Sequence, residues 1–172
     1  MKNVFKIAGI LLLIFSLLNF YKLFQLDIPR VQISTLGYYV FAYFTYFVLG
    51  VWILIPEKVS IKAKIQKLAG FLLIISIIFG RFKNPINTYF IISSIITTGS
   101  LGISLLNFNN KGIKIFTGIT LIIVNMYNIP FLDYHIYSLS ELAIVLSEKV
   151  SFIIIGVYFC QEITLSSLRH NK

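Results

Sequence analysis

Acidic side chains recur at helical spacing in an apolar segment near the end of the chain, DYHIYSLSELAIVLSEKVSFIIIGVYFCQEI. If one helix runs unbroken from about residue 138, then Glu141, Glu148 and Glu162 fall within roughly 100° of one another. Ionisable side chains are costly inside a bilayer, so an acidic stripe facing a bundle interior would indicate a proton or cation route. The alternative, which the sequence favours, is an amphipathic segment over 138–149 on the outer membrane surface, with Glu148 at the membrane boundary.

Aromatic rings crowd the stretch GYYVFAYFTYF, residues 37–47. At 100° per residue, Tyr39, Tyr43 and Tyr46 share one helix face. Rings at the ends of such a helix suit the membrane interface, but Tyr43 and Tyr46 would lie at mid-depth, where a hydroxyl needs a partner. This face therefore predicts either packing against neighbouring helices or the wall of a pocket for a flat or cationic small molecule.

Hydroxyl side chains follow one face of the segment INTYFIISSIITTGSLGISLL, at Ser93, Thr97, Ser100 and Ser104. Small residues allow membrane helices to approach closely, and hydroxyls can bond across the contact. The segment is expected to be a central packing helix. The alternative is a polar wall along a solute path.

Charged and polar residues also map to the ends and loops on one side of the predicted helices. This outer rim comprises Asp27, Arg30, Arg81, Asp133 and His135. Solvated loop residues are the default interpretation, and a polar mouth that captures something from outside is the alternative. Two potential ligands, Asp133 and His135, are too few for a metal site.

Signatures of enzymes are missing from the sequence. Cys160 is the single cysteine, so neither a disulfide framework nor a cysteine metal cluster can form within the chain. The Gly-x-Ser-x-Gly and His-Glu-x-x-His patterns and phosphate-cradling glycine loops do not occur. We expect a protein that is not an enzyme and that needs no cofactor and no metal.

The composition is that of an integral membrane protein. The chain has 172 residues, of which 58% are hydrophobic and 12% charged, and its mean hydropathy is +0.88. A soluble domain has about 45–50% apolar and about 25% charged residues. The net charge is +9, and the basic residues lie between the apolar blocks. In that position they are expected to set the topology rather than to bind nucleic acid.

Six apolar blocks predict an all-α bundle of six transmembrane helices in a single domain. The predicted spans are 4–26, 35–55, 66–82, 86–106, 115–132 and 150–168. With the N-terminus inside, ten of the fifteen Lys and Arg residues fall on the inner side, which favours two cytoplasmic termini. The richness in Ile, Lys, Asn, Phe and Tyr hints at an AT-rich bacterial genome, hence the bacterial inner membrane.

The inner loop PEKVSIKAKIQKL, residues 56–68, is both basic and apolar. It could lie on the anionic inner leaflet, or it could bind a cytoplasmic partner. Topology alone would also account for its lysines.

A short pattern recurs three times along the chain. Lys6 opens KIAGILLLIFS, Lys67 opens KLAGFLLIIS and Lys114 opens KIFTGITLII, each an apolar run with an early glycine. A proline follows each run. The pattern predicts three antiparallel hairpins in the same orientation, although lysine-flanked apolar runs also match one another by chance.

Two functions remain open from sequence alone. The first is a non-enzymatic membrane protein that acts through a membrane or cytoplasmic protein partner, as an accessory subunit or an immunity-type protein. The second is a small-solute carrier, or the substrate-capturing membrane subunit of a transporter. In the second case Tyr39, Tyr43, Tyr46, Glu148 and Glu162 would line the ligand site.

Overall fold

The protein is all-helical throughout the residues that the computed structural model describes, namely 2–25, 33–80, 88–129 and 139–170. Side chains are described within 3–23, 37–77, 92–129 and 141–161, apart from those of 38 and 94. There are six helices and no strand in these ranges: α1 (Lys2–Gln25), α2 (Ile33–Leu54), α3 (Ile61–Gly80), α4 (Thr88–Leu106), α5 (Lys111–Asn128) and α6 (Leu139–His170). The all-α prediction is therefore confirmed.

Three helices begin at least four residues earlier than their apolar blocks predict, namely α3, α5 and α6. The α3 helix starts at Ile61 rather than at 66, and α5 starts at Lys111 because the side chain of Asn110 caps it, accepting from the backbone N–H of Ile113 at 3.1 Å. The α6 helix starts at Leu139 rather than at 150 and continues unbroken through Glu148. The unbroken helix that the acidic stripe requires is therefore present from Leu139, and the location of 138–149 on the outer membrane surface stays a prediction.

The helices form a closed ring in chain order. Each packs chiefly against the helix before it and the helix after it, and α1 packs against α6 to close the ring. Short connections at 55–60 and 107–110 join α2 to α3 and α4 to α5. Pro56 ends α2, because proline lacks an N–H and disfavours a helical residue before it.

In each hairpin the two helices pack most closely where a glycine of one helix contacts a glycine of the other. A Cβ built on Gly50 would lie 2.9 Å from the carbonyl oxygen of Gly9, and one built on Gly102 would lie 3.0 Å from that of Gly70. In the third hairpin, a Cβ on Gly156 would lie 2.6 Å from the carbonyl oxygen of Gly118. The early glycine of each recurring sequence pattern thus faces a glycine on the next helix, and the two backbones approach more closely than any side chain would allow.

The same environments recur around these glycine pairs. The residue before the first glycine and the residue three after it are buried in every hairpin: Ala8, Ala69 and Thr117, then Leu12, Leu73 and Leu121. Five residues before the second glycine, each hairpin buries a hydroxyl: Thr45, Thr97 and Ser151. The three hairpins are therefore alike in packing as well as in sequence.

Two of the described helices are long and apolar enough to cross a membrane, by length and composition. Their apolar stretches are Asn3–Leu23 and Glu141–Gln161, and about a third or less of each is buried within the protein. Shorter apolar stretches lie in α2 (Tyr39–Leu54) and in α4 (Ile95–Leu106).

Candidate functional site

The tyrosine face of α2 packs first against α1. The ring of Tyr43 lies edge-on to two phenylalanines of that helix, with its centroid 6.0 Å from Phe15 and 5.9 Å from Phe20. Tyr39 stacks on Tyr43 one turn away, at 6.0 Å. These distances are typical of stabilising aromatic pairs.

Tyr46 continues this packing toward the middle of the ring. Its centroid lies 5.5 Å from Phe15 of α1 and 5.8 Å from Phe152 of α6. Each tyrosine of the face thus has an aromatic neighbour, as the packing interpretation requires. That the face also binds a ligand stays a prediction.

The acidic side chains of α6 that the structure describes are both paired with lysine. Glu148 Oε2 lies 3.5 Å from Lys149 Nζ, and both side chains are less than a fifth exposed. Glu141 Oε1 accepts from Lys22 Nζ of α1 at 3.3 Å, where the ring closes. The side chain of Glu162 lies outside the described residues. The two glutamates of the stripe that are described each form an ion pair with a lysine.

The outer rim is not part of the described structure. Its predicted members Asp27, Arg30, Arg81, Asp133 and His135 all fall outside the described residues.

The hydroxyl face of α4 contributes to helix packing. Ser93, Thr97 and Ser104 are buried. The carbonyl oxygen of Ser100 accepts from Thr117 Oγ1 of α5 at 3.0 Å, which ties two consecutive hairpins together. The hydroxyl of Ser104 is buried with no hydrogen-bond partner.

Buried amides on α5 add polar groups to the interior of the ring. Asn125 and Asn128 are 0% and 1% exposed. Asn125 Nδ2 donates to the carbonyl oxygen of Leu121 at 2.8 Å, but the Oδ1 atoms of both asparagines have no partner. Unmet buried acceptors of this kind cost about 1–3 kcal/mol each.

Lysines gather at the end of the ring that carries the 55–60 and 107–110 connections and the start of α1. We call this the basic end, and its described lysines are Lys6, Lys58, Lys62, Lys64, Lys67, Lys111 and Lys114. Only Lys22 and Lys149 lie elsewhere among the described lysine side chains.

Five aromatic side chains contact one another at the basic end of the helical bundle. This aromatic cluster comprises Phe5, Trp52, Phe108, Tyr158 and Phe159. Phe5 stacks on Tyr158 at 3.9 Å and lies edge-on to Trp52 at 5.9 Å. Phe108, from the α4–α5 connection, reaches Trp52 at 5.8 Å and Phe159 at 6.1 Å.

Two lysines contact the faces of these rings. Lys114 Nζ lies 3.5 Å from the centroid of Phe108, and this side chain is only 8% exposed. Lys62 Nζ lies 5.8 Å from the Trp52 ring and donates to the carbonyl oxygen of Ile55 at 2.8 Å. Both distances suit cation–π attraction.

A cavity of about 360 Å³ opens beside the aromatic cluster. It is lined by Phe5, Trp52, Phe108 and Tyr158 and also by Lys58 and Lys62. The indole Nε1 of Trp52 has no hydrogen-bond partner, although this residue is only 1% exposed. The lining of the cavity thus combines aromatic rings, among them the tryptophan with the unmet N–H, with two lysines and the carboxylate of Glu57.

Sequence patterns pointed to the lysines of this end but not to the cavity. Trp52 lies at the end of the aromatic-rich second helix, where a ring suits the membrane interface, and Phe108 lies in the short polar stretch NFNN. The cavity needs Phe5, Trp52 and Tyr158 from three different helices, and no local spacing reveals such a meeting. An isolated aromatic residue in a polar connection was the one signal available.

Comparison with known proteins assigns no function to this arrangement. No family model, no curated protein and no solved structure matches the chain. Within the described residues, no three His, Cys, Asp or Glu side chains are grouped so that they could hold a metal ion.

Proposed function

We propose that the chain is a six-span protein of the bacterial inner membrane with both termini in the cytoplasm. It acts without catalysis, through a protein partner, as an accessory subunit or an immunity-type protein. The observation that carries the proposal is how side chains are sorted, with large apolar groups outside the ring and hydroxyls and amides inside it.

Every one of the six helices exposes at least one large apolar side chain on the outer surface of the ring. Among the exposed large side chains are Leu17 at 56%, Phe71 at 56%, Phe116 at 68% and Ile123 at 61%. The buried polar groups include Ser16, Thr45, Thr97, Asn125 and Ser151. Water would disfavour this arrangement, since extensive exposed apolar surface drives association, but lipid tails would stabilise it.

The helix lengths agree with a bilayer. At 1.5 Å per residue, the 18 residues of α5 extend about 27 Å and the 24 residues of α1 about 36 Å. The hydrocarbon core is about 30 Å thick. The lysines of the basic end would then face the cytoplasm, as the distribution of positive charge predicts.

A partner would meet the protein at its ends or against its apolar flank, because lipid surrounds the rest. Among the described parts, the basic end offers the most exposed charge, with Lys58, Lys64, Lys67 and Lys111 all accessible. Such a surface suits an acidic cytoplasmic face of another subunit, since complementary charge speeds and orients association.

The test is to extract the protein from its native membrane in mild detergent and to weigh the intact complex by native mass spectrometry. A second protein at fixed stoichiometry is expected, and it should be lost from a Lys64→Glu, Lys67→Glu variant but kept in the charge-neutral control Ile61→Leu. Labelling of a cysteine introduced at Lys111 in intact cells and in inverted vesicles determines the topology. A chain that always appears alone contradicts the partner proposal.

The carrier is the second candidate, and one observation favours it. Asn125 and Asn128 lie one turn apart inside the ring, with amide oxygens that lack a donor. A solute ammonium, a cation or water could supply that donor. Loss of solute uptake in Tyr43→Ala or Glu162→Gln, with the protein still inserted, would support the carrier, whereas effects on stability alone would count against it.

A further inference from the structure

We propose that the cavity at the basic end is a binding site for the phosphate headgroup of an anionic phospholipid. The inference rests on the membrane placement proposed above, but not on a protein partner.

The cavity is lined by a residue that carries an unsatisfied hydrogen-bond donor. The Nε1 of Trp52 is a donor without an acceptor, and the residue is only 1% exposed. An N–H in this state is costly, so an arriving acceptor relieves a penalty in addition to forming a bond. Trp52 is the single tryptophan of the chain.

The lysines add the charge. Lys62 is already held in place, because its Nζ donates to the carbonyl oxygen of Ile55 at 2.8 Å. An ammonium group carries three N–H donors and a full positive charge. Lys58 lines the same cavity and is exposed. Two ammonium groups and an indole N–H would together surround one anionic group.

The lining also contains one carboxylate, that of Glu57, on its exposed side. A like charge near a phosphate weakens its binding. Removal of this charge is therefore expected to tighten binding, which gives the proposal a test in the opposite direction.

The position of the cavity favours a lipid over a free anion. The cavity lies where α2 ends at Leu54, beside the apolar walls formed by Phe5, Phe108 and Tyr158. Aromatic and lysine side chains at this depth lie among lipid headgroups. Anionic headgroups attract basic segments at the inner leaflet.

The experiment uses the full chain in a non-ionic detergent and follows Trp52 fluorescence while phosphatidylglycerol is added. We expect a saturable change in emission, because the single tryptophan contributes its own N–H to the site. Phosphatidylcholine is expected to give no saturable change at the same concentrations. Glycerol phosphate without acyl chains should bind at least about tenfold more weakly, since it lacks the buried apolar part.

Variants separate the site from general attraction to positive charge. Lys62→Gln is expected to weaken binding at least about tenfold, because it removes one charge-assisted hydrogen bond. Lys64→Gln removes an equal charge from the same helix outside the cavity and should change binding by less than about twofold. Glu57→Gln should strengthen it.

Three results would overturn the inference. They are the lack of a saturable change, equal losses in Lys62→Gln and Lys64→Gln, and equal binding of glycerol phosphate, which would indicate a soluble anion instead. If Lys62→Gln does not fold by circular dichroism, Lys58→Gln replaces it with the same expected direction. Because this assay needs no second protein, it can fail while the partner proposal survives, and the reverse also holds.

Discussion

The carbonyl oxygen of Gly118 lies 2.6 Å from the point where a side chain on Gly156 would begin. Real Cβ atoms do not approach a carbonyl oxygen so closely, so α5 and α6 can cross here only because both residues are glycine. The helices of the two other hairpins also contact each other through a pair of glycines, so these contacts hold each hairpin together.

Gly156→Ala should therefore destabilise the protein by about 2 kcal/mol or more, the range in which overpacking of a tight contact lies. Unfolding by increasing fractions of sodium dodecyl sulfate, followed by circular dichroism, measures the change.

Gly37→Ala is the matched control. A Cβ at Gly37 meets nothing within 4 Å, and alanine is the better helix former. This variant should be as stable as the parent or slightly more so. Equal losses for the two variants would show that the glycine pair is not a special contact.

Much of the helical framework was predictable from the sequence, because long apolar runs separated by lysine and proline mark helices directly. The starts of α3, α5 and α6 were not predictable from hydropathy, since Lys62, Lys111 and Glu141 lie inside helices despite their charge. The glycines of the recurring pattern were visible in sequence. Their partners on the following helices became evident only from the packing.

Tyr43 should contribute to stability through its ring and not through its hydroxyl. Tyr43→Ala removes edge-on contacts with Phe15 and Phe20, which are together worth about 1–3 kcal/mol. Tyr43→Phe keeps both contacts and should lose under about 1 kcal/mol, near the value of one hydrogen bond. Detergent unfolding curves of the two variants test this, and a larger loss for Tyr43→Phe would show that the hydroxyl matters more.

The ion pair of Glu148 with Lys149 is less exposed than that of Glu141 with Lys22. Glu148→Gln leaves the ammonium of Lys149 without its carboxylate in a poorly solvated place, so we expect a loss of about 3 kcal/mol. The double variant Glu148→Gln, Lys149→Gln removes both charges and should lose about 1 kcal/mol or less. A double variant less stable than the single one would contradict this, and Glu141→Gln, in the more exposed pair, serves as the control for the substitution itself.

Lys22 and Glu141 join α1 to α6, yet they should contribute little. Their side chains are 41% and 44% exposed, and such pairs are typically worth under about 1 kcal/mol. A double-mutant cycle of Lys22→Gln and Glu141→Gln gives the coupling energy directly. A coupling above about 2 kcal/mol would indicate that this bridge, and not the apolar contact of α1 with α6, closes the ring.

The aromatic cluster could not be predicted from spacing, because its members come from α1, α2, α6 and the α4–α5 connection. Each position taken alone had an ordinary explanation as an interfacial or core ring. Only the meeting of these segments leaves Trp52 Nε1 buried without an acceptor. A property that depends on four segments at once is a property of the fold.

Substitution of Trp52 should change the stability of the protein differently with and without lipid. In lipid-free detergent, Trp52→Phe removes an unmet N–H but leaves a smaller ring, and the two effects should cancel to within about 1 kcal/mol. Trp52→Ala should lose about 3–5 kcal/mol, because it empties a buried aromatic position. With phosphatidylglycerol added, the parent should melt at a higher temperature, since a ligand that binds only the folded state stabilises it. Trp52→Phe should gain clearly less from the lipid than the parent does, because phenylalanine has no N–H to offer the phosphate. Thermal melts by circular dichroism give all of these values, and an equal gain for both proteins would mean that the indole N–H takes no part in binding the headgroup.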